Sequence, residues 1–362
     1  MPNENMTVVS FPGLGIGELN LNKVAFSFFG LEVRWYGILI TIGIILAFLY
    51  AIYRGKKNEN IIPDDVLDVG ILTVICGVVG ARLYYVLSKP ELFHSFYDVI
   101  AIWNGGIAIY GAILGGCVGI LIACAIKRLS WRQLTDMIAP GVLLAQAIGR
   151  WGNFINGEAH GYSIAQTTKF YFLEQKYILY SSEGSFYHWI RMGLRTSYGW
   201  IYCHPTFLYE SVWNLCGFLL IHFFYRHKRF HGQIALMYLT WYGFGRMFVE
   251  GFRTDSLYLG NTSLRISQCL GLLCFALGSV LLIVLSIVFR HNHPAPAPDR
   301  IRRERVRKAP ALAVASDDTA PKAAPAGEAK ESSAFAKVME TVLQKQKKNN
   351  IGKEDQNNGS DH

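Results

Sequence analysis

Seven stretches of this chain are predominantly apolar, and clusters of polar or charged residues separate them. The stretches lie near 36 to 53 (YGILITIGIILAFLYAIY), 66 to 87, 107 to 126, 137 to 150, 206 to 225, 233 to 250 and 266 to 289. A helix rises 1.5 Å per residue, so about 30 Å of hydrocarbon takes roughly 20 residues to cross. The pattern predicts an all-α polytopic membrane protein of about seven transmembrane helices. The fourth stretch is short and carries Pro140 and Gly141, which predicts a broken or tilted span. Residues 161 to 203, rich in Tyr, Phe and Trp, form an insertion long enough for a small folded cap. Residues 291 to 362 run from HNHPAPAPDR through Ala, Pro, Lys, Glu and Asn. Such a chain cannot bury a core and is expected to be disordered, with a short helix an option at AFAKVMETVLQKQKK. No internal repeat of the transporter kind is visible, which counts against that class.

Composition agrees with a membrane class: 51% of the 362 residues are hydrophobic and only 17% are charged, a balance that soluble domains seldom show. Lysine and arginine then orient the bundle, because short loops rich in them stay on the cytoplasmic side. Arg54, Lys56 and Lys57 follow the first stretch, Lys127, Arg128 and Arg132 the third, and Arg226, Lys228 and Arg229 the fifth. The loops on the other side carry little: Lys89 after the second stretch, Arg253 and Arg265 after the sixth. The N-terminus is therefore expected outside and the C-terminus inside. On that reading 1–35 is an extracytoplasmic segment, 36–160 holds the first four spans and a polar loop, and 161–203 is an extracytoplasmic cap. The last three spans occupy 204–290, and 291–362 is a cytoplasmic tail. The net charge of +9 then reflects topology and tail, and argues for no nucleic-acid partner. The first 35 residues lack the layout of a cleaved signal peptide, so the first span is expected to insert uncleaved. Six of the seven cysteines fall inside apolar stretches and read as packing residues; Cys203 alone lies near an outer loop.

With the orientation set, the depth of each polar residue can be read. Arg150, Asn153, Asn156 and Glu158 emerge at the outer end of the fourth span. Arg246 and Glu250, four apart on one helical face, lie near the outer end of the sixth. His204 sits at the outer rim of the fifth with Glu210 below it, Tyr36 and Tyr110 lie in the outer halves of the first and third, and Arg82 in the outer third of the second. Taken singly, each has a plainer role: Arg246 with Glu250 is an ordinary i, i+4 pair, and Arg150 is a snorkelling anchor. The glycines of the 149–161 segment alone read as helix termination. Charges in hydrocarbon cost at least about 2.5 to 3.5 kcal/mol each, however, and so many on one side face a cavity or one another, while the inner halves read as almost bare. Guanidinium groups near a headgroup layer suit an anionic phosphate. Asn153 and Asn156 can donate to ester or glycerol oxygens, Gly149, Gly152, Gly157 and Gly161 permit close backbone approach, and Glu158 can hold an arginine or accept from a hydroxyl.

The segment GRWGNFINGEAHG, residues 149 to 161, resembles the signature of the bacterial prolipoprotein diacylglyceryl transferases, Gly-Arg-x-Gly-Asn-Phe-x-Asn-x-Glu-x-x-Gly, with every fixed position filled. VRWYG at 33 to 37, GARLYYV at 80 to 86, IWNGGIAIYGA at 102 to 112, HPTFLYE at 204 to 210 and GRMFVEGFR at 245 to 253 support it in order. The resemblance covers about residues 33 to 289 and leaves out the tail. It implies transfer of the diacylglyceryl group of phosphatidylglycerol to the lipobox cysteine of a prolipoprotein signal peptide, forming a thioether and releasing glycerol phosphate. It implies a multi-pass protein of the bacterial cytoplasmic membrane, embedded in the lipid bilayer, with its site toward the outer leaflet. Arg150 and Arg246 would hold the phosphodiester and stabilise the leaving phosphate. Tyr36, Arg82, Asn153, Asn156, Glu158, Gly161, Glu210 and Glu250 would complete the donor site, and no metal, nucleotide or redox cofactor is implied. One position departs: the family often has His-Gly-Gly where this chain has Tyr110, Gly111 and Ala112. The histidine has been a candidate base for the cysteine thiol, and a phenol, ionising near pH 10, is a poor substitute. Either the base lies elsewhere, with His94, His160 and His204 the local candidates, or Tyr110 only orients substrate. An anion transporter would also gather arginines but should present polar groups to both faces in turn. An intramembrane protease would need a serine dyad, paired aspartates or HExxH, which do not stand out here.

Overall fold

The computed structural model describes residues 5–28, 31–102, 105–181, 184–260 and 262–289; the tail expected to be disordered lies outside them. Helix α1 spans Trp35–Arg54, α2 Pro63–Ser88, the short α3 Phe96–Ile100, α4 Ile109–Lys127 and α5 Trp131–Asn156. The short α6 spans Phe186–Ile190, followed by α7 (Thr206–Phe224), α8 (Gln233–Phe252) and α9 (Ile266–Val288). The long helices fall on the apolar stretches in order. Among the described residues five helices are long and apolar enough to cross a membrane: α1, α2, α4, α7 and α9. Helices α5 and α8 fall short in apolarity because they carry the polar side chains of the interior. The fourth stretch forms a helix that is neither short nor broken. Its apolar run looks short because polar residues at both ends are also helical, and α5 continues for 26 residues with Pro140 inside it.

Contacts at the helix ends fix their directions. The C-terminal ends of α1 and α4 meet the N-terminal ends of α2 and α5 through Ala51, Val66, Ala123 and Met137. Ala139 and Leu143 of α5 pack with Ile221 of α7, Tyr225 and Ile234 of α8 at that same end. Close approach of α2 and α4 follows from Gly111, Gly115 and Gly119, spaced by four on α4, a pattern that lets membrane helices approach through their backbones. A Cβ at Gly115 would collide with the carbonyl oxygen of Cys76, and one at Gly80 on α2 would stand 2.5 Å from that of Gly111.

This end of the bundle is not bare, contrary to the sequence reading. Buried Glu59 and Asp136 share Lys228, with Lys228 Nζ 3.3 Å from Asp136 Oδ2 and in closer contact with Glu59. Tyr225 donates to Glu59 at 2.7 Å, while the backbone N–H groups of Gly232 and Ala235 donate to Asp136 at 2.7 and 2.9 Å. Asp136 thus supplies from α5 the cap that α8 lacks in its own sequence, where Gly232 is the N-cap residue.

The opposite end is covered by strands, so the all-α expectation holds for the bundle alone. The strands are β1 (Met6–Phe11), β2 (Ile16–Asn22), β3 (Val24–Phe28), β4 (Leu31–Arg34), β5 (Thr167–Phe172), β6 (Gln175–Tyr180), β7 (Met192–Thr196) and β8 (Gly199–Cys203). A four-stranded sheet of order β2-β1-β7-β8 joins the N-terminal segment to the cap, with Val9 opposite Leu194 and Ser10 opposite Gly193. Two hairpins, β3-β4 and β5-β6, complete the cover. Phe11, Met192 and Cys203 of the sheet bury against Phe207 at the start of α7 and Phe154 near the end of α5. Hairpin β5-β6 lies on α8, Phe170 against Phe252 with ring centroids 4.7 Å apart.

Replacing Gly115 with valine is predicted to lower stability by about 1 to 3 kcal/mol or more through overpacking, read as a drop in melting temperature in detergent. Gly17→Ala, which meets nothing within 4 Å, serves as the reference; equal melting of the two variants would contradict the close approach of α2 and α4.

Candidate active site

Three helices deliver charged side chains to one place below the sheet end. Arg150 comes from the last two turns of α5, Glu210 from the first turns of α7, and Arg246 and Glu250 from the last two turns of α8. Glu210 and Glu250 are 5% and 1% exposed, a burial that carboxylates tolerate only when paired. Arg150 Nη2 lies 2.5 Å from Glu210 Oε2, while Arg246 Nη1 donates to Glu210 Oε1 at 2.9 Å. The other end of the Arg246 fork reaches Glu250 Oε2 at 2.6 Å. Arg253, the C-cap of α8, adds a third guanidinium, 3.4 Å from Glu210 Oε1. It also grips Asp255 with two bonds of 3.0 and 2.8 Å. Burial alone would raise Asp255, but the Arg253 pair outweighs it and holds the carboxyl below its usual range. Three guanidinium groups thus face two buried carboxylates, with Asp255 balancing the third cation from the more exposed edge. Each guanidinium carries five N–H groups, so donors remain for an anionic ligand.

A second chain of bonds extends from Arg150. Its Nη1 contacts Asn153 Oδ1 at 3.4 Å, and the side-chain amides of Asn153 and Asn156 both donate to Glu158 Oε1, at 3.2 and 3.1 Å. Gly157 makes this possible. At φ 70° it ends α5 in the left-handed region, turning the chain so that Glu158 N–H bonds the carbonyl of Asn153 at 3.0 Å and its side chain folds back over the last helical turn. The Tyr36 ring lies directly over Gly152, where a Cβ would come within 2.7 Å of it. Tyr110 is half-buried, packs near Tyr84 with ring centroids 6.4 Å apart, and lies within electrostatic reach of Arg246.

Two of the expected ligand residues make structural contacts. Arg82 donates to the carbonyl oxygens of Val99, Asp98, Gly105, Gly106 and Ala101, and so holds the loop before α4 rather than joining the carboxylate cluster. Gly161 sits where three backbones meet. Its N–H bonds the carbonyl of His204 at 2.9 Å, it bridges to Arg253, and a Cβ there would stand 2.5 Å from that of His204. His204 is fully buried, with Nε2 2.9 Å from Thr168 Oγ1 and Nδ1 3.1 Å from the Tyr209 hydroxyl, so neither nitrogen is left for a thiol. Burial pushes the Cys203 thiol up to about 12, which fits a packing residue and no nucleophile.

Sequence reasoning missed Arg253 and Arg265 as parts of this site. The spacing 246, 250, 253 is one helical face at i, i+4 and i+7, a signal that was available for Arg253. Arg265, 1% exposed, donates to the carbonyls of Glu250 and Arg253 and to the Tyr162 hydroxyl, and stacks on Tyr171 at 4.7 Å. It caps the end of α8 with a cation, where the helix dipole favours one; no local pattern marks a residue 12 positions beyond Arg253 for that task.

Fold and site together define the class: a polytopic membrane protein with a cation-rich cluster of buried ion pairs at one end of its bundle. The family model for prolipoprotein diacylglyceryl transferases matches residues 23–284. A phosphatidylglycerol–prolipoprotein diacylglyceryl transferase of Lactobacillus johnsonii is 44% identical over 278 residues, covering 73% of this chain and 90% of the relative. Enzymes of the same name from Listeria welshimeri and Staphylococcus aureus are 40% and 38% identical, each covering 76% of this chain and 90% of the relative. The chain belongs to the prolipoprotein diacylglyceryl transferase family.

Burial lowers His204 to about 4, against 6.5 for a free imidazole. As pH falls below 6.5 the unfolded chain takes up this proton before the folded one, so stability is lost between pH 6.5 and about 4, by up to about 3 kcal/mol. The melting temperature of the protein is expected to fall more steeply from pH 7 to pH 5 than that of His204→Gln. Parallel pH dependence in the two would remove His204 as the linked group.

Proposed function

We propose that this chain transfers the diacylglyceryl group of phosphatidylglycerol to the lipobox cysteine thiol of a prolipoprotein signal peptide. The sulfur forms a bond to the glyceryl CH₂, the bond from that carbon to the phosphate oxygen breaks, and glycerol phosphate leaves with the electron pair while the thiol proton passes to a base. The observation that carries this reading is the convergence of Arg150, Arg246 and Arg253 on Glu210, in a chain whose family and relatives bear this activity's name.

In the proposed site Arg150 and Arg246 hold the phosphodiester and stabilise the charge that grows on the leaving phosphate, where preorganised donors act most strongly. Glu210 and Glu250 fix the two guanidinium planes beforehand. Asn153, Asn156 and Glu158 form the hydrogen-bonding edge that meets the glycerol hydroxyls, and Tyr36 borders it. An apolar cavity of about 390 Å³ between α1, α2, α4 and α5 is bounded by Ile40, Ile44, Val142 and Gln146. Gln146 lies one helical turn below Arg150, so a headgroup on the arginine leaves an acyl chain room in that cavity. Tyr110 orients the substrate.

The proposed topology has seven spans, α5 and α8 included, since a helix of 20 or more residues whose polar side chains face inward can cross with its neighbours covering them. Its basic loops lie in the cytoplasm, the sheets outside, and the site in the outer leaflet of the bacterial cytoplasmic membrane. The donor lipid and a translocated signal peptide are both available there. Polar groups at both ends of the bundle also suit an anion transporter. The buried ion pairs at the far end, however, close on each other and cap α8, a structural use of those charges.

The deciding assay is transfer of labelled lipid from phosphatidylglycerol to a lipobox peptide by the purified protein in detergent. Arg150→Lys and Arg246→Lys keep the charge and lose the planar fork, so each is predicted to lower turnover at least about tenfold, about 1.4 kcal/mol of transition-state stabilisation; near-normal turnover in both would refute the clamp. Tyr110→Phe is expected to retain most activity. A loss of about a hundredfold in Phe, recovered in Tyr110→His with the alkaline demand of the pH–rate profile moved downward, would make position 110 the base.

A further inference from the structure

A second and larger cavity, of about 860 Å³, lies at the opposite end of the bundle from the arginine cluster, between α4, α5, α8 and α9. Ile138, Leu239, Leu281 and Leu285 give it apolar walls, and its rim carries Arg132 at the start of α5 and Arg229 in the loop before α8. Both arginines are exposed. Among the described residues neither has a carboxylate within ion-pair distance, whereas the neighbouring Lys228 is taken up by Glu59 and Asp136 and His231 faces Glu59 at 3.8 Å. Trp131, also exposed at the rim, is of the type that settles at the headgroup level.

An apolar slot ending in two unpaired guanidinium groups matches a molecule with long apolar chains and an anionic head. The volume lies in the range of built ligand pockets, and basic pockets between membrane helices on the cytoplasmic side take anionic lipid headgroups. The slot shares Ile120, Ile138 and Val142 with the 390 Å³ cavity, while its rim of arginines lies at the other end of the bundle from the arginine cluster. Gln146 donates to the Tyr238 hydroxyl at 3.2 Å, a polar bridge from α5 to α8 that stands between it and the arginine cluster. We propose that this cavity holds an anionic phospholipid of the inner leaflet, its phosphate between Arg132 and Arg229 and its acyl chains between α4 and α9. The choice of leaflet rests on the topology proposed above. The bound lipid fills the interior at the N-terminal ends of α5 and α8, the helices whose other ends carry the arginine cluster.

The test uses the full-length protein in phosphatidylcholine nanodiscs doped with phosphatidylglycerol or phosphatidylcholine carrying a diazirine on one acyl chain. After illumination, labelled peptides are mapped by mass spectrometry, with the exposed face of α2 at Ile71, Ile75 and Val79 as the reference for bulk lipid. Segments 235–239 and 281–289, which line this cavity and not the other, are expected to prefer the phosphatidylglycerol probe over the phosphatidylcholine probe by roughly tenfold relative to that face. The preference should vanish in the Arg132→Ala/Arg229→Ala double variant and survive in Arg132→Lys/Arg229→Lys. Equal labelling by the two probes, or a preference unchanged by the alanines, overturns the proposal. The wild-type ratio decides on its own should the alanine variant fail to fold. Labelling reads occupancy and not turnover, so wild-type protein that transfers nothing would sink the transferase reading and leave this test standing.

Discussion

A carboxylate sealed inside a membrane bundle has to be met by cations, and Glu210 is where that requirement organises this molecule. It is met from α5 by Arg150 and from α8 by Arg246 and Arg253, so α7 can lie only where both neighbours bring their charged ends to it. Removing one partner of a buried pair typically costs about 3 to 5 kcal/mol, because the other charge is left uncompensated. The site is therefore also a structural node, and its geometry is fixed before any ligand arrives. Glu250 extends the same logic: it satisfies the second fork of Arg246, and its own carbonyl is held by Arg265.

The far end of the bundle obeys the same rule with other residues. Glu59, Asp136 and Lys228 close on one another there, and Asp136 caps α8. Helices α5 and α8 are thus pinned by charge at both ends. This is how the two least apolar of the long helices come to carry the site: the hydrocarbon meets the outer helices, and the polar faces of α5 and α8 turn toward each other and α7. The glycine rows of α2 and α4 do complementary work, bringing two apolar helices together through their backbones, with Lys127 of α4 pairing Asp65 and Asp68 of α2 at one end.

The spans were legible because an apolar run of bilayer length is seldom anything but a spanning helix, and Arg150, Glu210, Arg246 and Glu250 were legible because charge at that depth needs a reason. What could not be read was partnership across the chain. Arg82 looked equivalent to Arg150 by depth, yet its guanidinium faces five carbonyl oxygens of a loop 16 to 24 residues away. Gly161 fits the motif as a ligand residue and fits the structure as the place where His204, Phe252 and the chain reversal crowd together. The strands of the cover were partly visible in the alternation of IGELNLN, but the pairing of β1 with β7, as in Val9 with Leu194, joins positions too far apart in the chain to leave a local signature. The short look of the fourth span misled for a related reason: hydropathy records where a helix is apolar, and α5 is helical well beyond that.

Tyr110 shows most directly what the fold adds. The residues flanking it, IWNGGIAIYGAILGG, contain no cation, and on sequence alone nothing would act on its phenol. The packed bundle brings Arg246 from α8 within electrostatic reach of it, the same guanidinium proposed to meet the phosphate. A hydroxyl on that side of the proposed site would be able to donate to a phosphate oxygen, and the third and sixth apolar stretches would then hold one ligand together. This placement is in keeping with the orienting role proposed for Tyr110. A base for the thiol must then be an acceptor on the substrate side of the cluster. Of the three local histidines, His204 is closed off by Thr168 and Tyr209, and among the carboxylates of the cluster Glu158, exposed just beyond α5, is the one whose oxygens are matched to amides and to no arginine.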